Sequence, residues 1–251
     1  MAKQKGIIKL DGTISDITFL KTRDGYLAKE KSSVSAERIA SDPAFQRTRE
    51  NGAEFGRAGK AGKLLRHAFR AVLQNASDAR MVGRLTKDMV RVIQADATNA
   101  RGLRNVIDGE AELLEGFEFN ADSPLNTTVY APIVTSINRV TGAISVSLDS
   151  FVPANMIAAP SGTTHYRLTA MAAAIDFEGQ RFDVDSADSN PLAWNASPSA
   201  SLNLTMSLPA ASTHPLFVVL GAAFYQDVNG VQYPLKNGAF NALALVKVSG
   251  V

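Results

Sequence analysis

Residues 216–235 read LFVVLGAAFYQDVNGVQYPL, and this stretch decides the fold class. From Leu216 to Tyr225 no side chain is charged. The block falls well short of the roughly 18 apolar residues that signal a membrane span, so it reads as a strand of a protein core. Asn229-Gly230 follows between Val228 and Val231. Both residues tolerate positive φ, so the pair predicts a type I′ hairpin closing that strand on the next.

The same language extends outward on both sides. From Gly116 onward charges thin out, Ser, Thr, Asn and Pro rise, and short apolar runs alternate with turn signals. Strands are expected at 117–120, 128–137, 143–149, 164–175, 180–184, 201–208, 215–227, 231–235 and 240–248. Thr141-Gly142 and Glu178-Gly179 are weaker turn signals of the same kind. Many short strands with regular punctuation predict an antiparallel β-sandwich.

The first part of the chain differs. Residues 6–31 read as a three-stranded meander, 6–10, 13–21 and 26–31, with Asp11-Gly12 and Asp24-Gly25 as its turns. Ile17 and Phe19 share a face at period two, whereas Ile14 falls out of step, which predicts a bulge near Ser15-Asp16. Three small strands cannot bury a core, so something must cover them. Asp42-Pro43 then opens a helix running to about Asn75, and Ser77/Asp78 caps a second running to about Asp96. In the second, Met81, Val82, Leu85, Met89, Val92 and Ile93 recur at helical spacing. The first helix carries Gly52, Gly56, Gly59 and Gly62, each costing about 1 kcal/mol against alanine. Either the helix breaks there or the glycines permit close backbone approach. The expected class is therefore α+β: a basic β-meander and helical part over 1–116, then an acidic all-β sandwich domain over 117–251.

The charge distribution divides in the same way. Residues 1–110 carry 21 lysines and arginines against 13 acids, a balance of +8, and residues 111–251 carry 5 against 11, a balance of −6. Such asymmetry speaks about partners rather than fold. There is no cysteine, which excludes disulfides, thiolate catalysis and cysteine-ligated metals. The apolar run near the N-terminus stops at Lys9 and Asp11, too early for a secretory signal, so the expected location is the cytoplasm or a particle assembled there.

Chemistry-bearing motifs are few. NGAEFGRAGKAGKLL, from Asn51, has the glycines of a phosphate loop but not their spacing, and Leu64 stands where Ser or Thr is required. Asp183, Asp185 and Asp188 lack the turn glycine and terminal glutamate of a calcium loop and read as a solvated hairpin end. His67, His165 and His214 form no metal-ligand spacing. No Gly-x-Ser-x-Gly elbow occurs. The expectation is a protein without cofactor or metal that is not an enzyme. Arg80, Arg84, Lys87 and Arg91 make one stripe of the second helix, a solvated face or a face for an acidic partner. Nucleic acid is the weaker partner for it, because aromatics placed for base stacking are lacking.

Three passages carry a family resemblance: GIIKLDGTISDITFLKTRDGYLAKEK, DPAFQRTRENGAEFGRAGKAGKLLR and the closing YPLKNGAFNALALVKVSGV. They resemble an uncharacterised protein family associated with Bacteroidetes bacteria. The resemblance implies the domain order and a bacterial origin, and no activity or site residue.

The leading functional expectation is a self-assembling structural subunit of a filament, tube or particle, joined head to tail. The contact residues expected are Ile7, Ile8, Leu10, Ile14, Ile17 and Phe19 of the meander with Gly52, Gly56 and Gly59. A module binding a glycan or protein through the sandwich is the alternative, and nucleic-acid binding through the basic helices is third.

Overall fold

A computed structural model describes residues 1–22, 24–31 and 34–251. The α+β class is what it shows, with antiparallel strands, then helices, then an antiparallel β region. The chain divides into two compact units, Met1–Glu50 and Asn51–Val251. The boundary expected at 116/117 is therefore misplaced. The helical segment after Asn51 shares a core with the C-terminal strands, and separation there would open that core.

In the first unit β1 (Ala2–Lys3), β2 (Gly12–Ile14), β3 (Ile17–Thr22) and β4 (Gly25–Glu30) form an antiparallel sheet in the order β1-β4-β3-β2. Two details correct the expected meander. Residues 6–10 form no strand, and Ala2 and Lys3 pair with Ala28 and Leu27 instead. The expected bulge at Ser15-Asp16 is a complete two-residue hairpin turn, with Ile14 opposite Ile17 and Ser15 at φ 50°. That reversal is why Ile14 fell out of step. The helix α1 (Ala36–Ser41), not read from the sequence, is capped by Ser35, whose side chain accepts from the Arg38 amide. Asp42 then accepts from the Ala44 amide at 2.9 Å and opens a 3-10 turn over Pro43–Phe45.

The helix α2 (Gln46–Ala68) does not break at its glycines. It ends at Phe69, and α3 (Arg70–Leu73) follows as a separate turn. Glu54, Ala58, Ala61, Leu65 and Ala68 recur on its buried side, and that stripe offsets the poor propensity of the opposite one. The amphipathic α4 (Met81–Gln94) buries Met81, Leu85, Met89, Val92 and Ile93, while Val82 points outward. Asp78 accepts from the Arg80 amide just before it. Single turns α5 (Leu125–Thr128) and α6 (Pro153–Met156) lie in later connections.

The C-terminal strands are β5 (Ile133–Asn138), β6 (Ala143–Leu148), β7 (His165–Asp176), β8 (Arg181–Asp188), β9 (Leu192–Ala193), β10 (Leu202–Ser207), β11 (Leu216–Val228), β12 (Val231–Pro234) and β13 (Ala242–Ser249). One sheet has the order β10-β6-β5. A larger one runs β12-β11-β7-β8, with β13 also on β11 and β9 on β7. The expected Asn229-Gly230 hairpin is present, its residues at φ 56° and 79°. Along β11, Phe217 and Val219 face the helices, whereas Leu216, Val218 and Leu220 face the smaller sheet. On β7 Met171, Ala173 and Ile175 take the first side, and Ala170, Ala172 and Ala174 the second. Both strands are buried on both faces, which is why their sequences show no alternation. The unit is thus three layers: helices, larger sheet, smaller sheet. The sheets curl together at one edge, where the Ser207 amide donates to Asp185 Oδ2 at 2.7 Å.

In the core between the two sheets Tyr166 is fully buried and its hydroxyl has no hydrogen-bond partner among the described residues; burial pushes its pKa up to about 12. An unpaired buried hydroxyl costs more than it contributes. Tyr166→Phe is therefore expected to stabilise the protein by about 1 kcal/mol, read from the urea midpoint.

Candidate assembly surfaces

The N-terminal sheet has no core of its own. None of the described residues in 1–50 is buried. Cross-strand partners share a face, so the register places Ile14, Ile17, Phe19 and Ala28 together on one side. Ile14 and Ile17 are exposed there and Phe19 is half-buried. β2 stands at the edge, with its outer backbone groups unpaired in the sheet.

Between β1 and β2 the chain makes a loop closed at its base. Gln4 Oε1 accepts from the Leu10 amide at 2.9 Å, and Gln4 Nε2 donates to Leu27 O at 3.0 Å. Lys9 Nζ donates to the carbonyls of Gln4 and Gly6, both at 2.6 Å. Within the loop stand Ile7, fully exposed, and Ile8, at 81% exposure. Leu10, at its base, is also exposed. Adjacent isoleucines held in water by a tied loop forgo about 1.5–3 kcal/mol each of burial energy. Exposed apolar groups in such a cluster make a candidate interaction surface.

In the second unit the acids singled out in the sequence are placed differently from the expectation. Asp183, Asp185 and Asp188 do not form a hairpin end; they lie on β8, an outer strand of the larger sheet. Phe182 and Val184 are exposed on the same strand. They alternate with Asp183 and Asp185, which therefore stand on the opposite face of the strand that was expected at 180–184 and extends to Asp188.

The other sequence-selected residues are placed as follows. Gly52, Gly56 and Gly59 fall on one side of α2, where an added Cβ would meet nothing within 4 Å. Within the chain they bring no helices together. Only Gly62 has a neighbour, Leu85 at 3.6 Å. With that space open, Gly56→Ala is expected to stabilise the second unit by about 1 kcal/mol in a denaturation curve. A loss instead would show that this face is covered.

The basic stripe is only partly free. Arg80, Lys87 and Arg91 are exposed, with Arg91 3.5 Å from Asp88. Arg84 is turned inward: it donates to Asp78 and, at 2.6 Å, to the Glu118 carbonyl, and stacks over the Phe117 ring. Burial pushes the Asp78 carboxyl up, but the Ala121 and Arg80 amides and the Arg84 guanidinium outweigh it and hold it below the usual range. His67, beside Lys60 and Lys63, lines a cavity of about 640 Å³ between α2 and the β7–β8 turn. Among the described residues no three His, Asp or Glu side chains are placed to hold a metal ion. No helix among them is long and apolar enough to cross a membrane.

No protein-family model matches this chain, and neither a curated protein nor a solved structure matches it.

Proposed function

We propose that this protein is a structural subunit that assembles with copies of itself, head to tail, into a filament, tube or particle. The observation that carries this reading is the N-terminal sheet without a core, with Ile7, Ile8, Ile14 and Ile17 exposed upon it. A second copy is the occupant that the charge favours. Lys3, Lys5 and Lys9 stand in and beside the isoleucine loop, while β8 carries Phe182 and Val184 on one face and Asp183 and Asp185 on the other. The basic residues 1–110, at +8, and the acidic residues 111–251, at −6, are electrostatically complementary between copies. Because the donating and receiving surfaces differ, the contact is heterologous and propagates to a ring or an open polymer.

Sedimentation velocity of the full chain tests the reading. Large species at low salt that shrink toward the monomer as ionic strength rises are expected, since exposed charge pairs are screened. A single monomeric species at every concentration and salt would overturn it.

A further inference from the structure

We propose that a cleft on the helix-facing side of the larger sheet, centred on Arg167, binds the carboxylate of a small acid that also carries an amino group. The cleft measures about 280 Å³ and opens beside α3, past the point where the helices cover the sheet. Its floor comes from three adjacent strands: Arg167 on β7, Ser186 and Asp188 on β8, and Gly221 and Tyr225 on β11. The register places these residues on one face, with Arg167 opposite Ala223 and Thr169 opposite Asp188.

Arg167 is the informative residue. Its guanidinium lies over the Tyr225 ring, 5.6 Å from the centroid, which fixes the plane of the fork. Its Nε is buried and has no hydrogen-bond partner. Among the described residues the side chain has no ion pair with any carboxylate. Nε is closed to a ligand, so a carboxylate would be held bidentately by the two terminal nitrogens, for which no acceptor stands among the described residues. Gly221 lets the floor pack closely. A Cβ there would stand 3.1 Å from the Ala242 carbonyl and 3.1 Å from Leu243 Cδ1, within the floor.

The second charge selects among acids. Asp188 lines the same cleft and, among the described residues, accepts only from the Asn190 amide, at 2.8 Å, through Oδ1. One cation and one anion facing the same small space suit a zwitterion: the carboxylate on Arg167, the ammonium toward Asp188 and the Ser186 hydroxyl. A dianion such as phosphate meets one arginine and one repelling carboxylate. The cleft volume restricts the ligand to about the size of an amino acid.

Isothermal titration of the full chain with a panel of α-amino acids, the matching carboxylates without the amino group, and inorganic phosphate tests the assignment. At least one α-amino acid should bind, its des-amino acid about tenfold more weakly, and phosphate not at all. Arg167→Lys, which keeps the charge but loses the fork, should weaken binding at least tenfold. Asp188→Asn should abolish the preference for the amino group while leaving the thermal midpoint near that of the wild type. No binding by any amino acid at millimolar concentration would overturn the proposal, as would binding unaffected by Arg167→Lys or binding of phosphate in preference.

Discussion

Removal of residues 1–31 should convert large, salt-sensitive particles into a monomer. The segment contains the whole four-stranded sheet and the tied loop with Ile7 and Ile8, and none of its described residues is buried. The truncation therefore takes away the apolar contact surface while taking nothing from either core of Asn51–Val251. Sedimentation and negative-stain imaging read the size, and circular dichroism verifies that the strands of the second unit persist. The double substitution Ile7→Lys, Ile8→Lys is the finer version. The loop is closed by Gln4 and Lys9 rather than by the isoleucines, so the sheet should survive and the particles should not. Truncated protein that still forms particles of the original size would refute the role of this surface, and with it the proposed function.

The second large effect is expected at Asp96. This carboxylate is buried just after α4, and its Oδ1 accepts from the Thr98 and Asn99 amides at 2.8 and 2.9 Å. Its Oδ2 accepts from Asn99 Nδ2 at 2.9 Å and the Asn105 amide at 3.0 Å. It thereby organises the loop after α4, to which Arg57 also donates through the carbonyls of Gly102 and Arg104. Asp96→Ala leaves these donors without an acceptor in a buried setting and is expected to cost about 3 kcal/mol. Burial pushes the carboxyl upward, but the donors of Asn99, Asn105 and Thr98 outweigh it and bring the pKa to about 2, against the usual 3.8. The folded value is the lower one, so the unfolded chain takes up the proton first as acid is added. The stabilisation is complete above about pH 4 and is lost as pH falls toward about 2. Urea curves of wild type and Asp96→Ala should converge across that window. A gap that stays constant from pH 5 to pH 2 would show that ionisation of Asp96 contributes nothing.

What could be read from sequence divides along the range of the interactions. The β11–β12 hairpin was legible because two adjacent residues, Asn229 and Gly230, state the backbone geometry themselves. Likewise, α4 was legible in its apolar spacing and Asp42-Pro43 in its capping chemistry. The turn at Ser15-Asp16 was not, because a serine at positive φ is dictated by the strand pairing on either side rather than by its own preference. Nor was the unit boundary. Ala58 and Leu65 share a core with Phe217 and Leu243 across more than half of the chain, and charge composition carries no trace of that packing. The glycines of α2 invited a reading of close approach that the buried stripe Ala58, Ala61 and Leu65 explains without them. The Arg167 cleft was beyond reach for a similar reason: Arg167, Asp188 and Tyr225 meet only through the register of β7 with its two neighbours.

The two-sided burial of β7 and β11 has a thermodynamic consequence. Each strand lends alternate side chains to two separate interiors, so the interiors share one backbone and cannot lose their order one at a time. Lifting the helices would expose Phe217 and Val219 to water and free the strand whose other side holds Leu216, Val218 and Leu220. Peeling away β10-β6-β5 would do the same from the opposite direction. Partial melting of Asn51–Val251 is therefore penalised from both directions, and its backbone amides along β7 and β11 should exchange with solvent only through global opening.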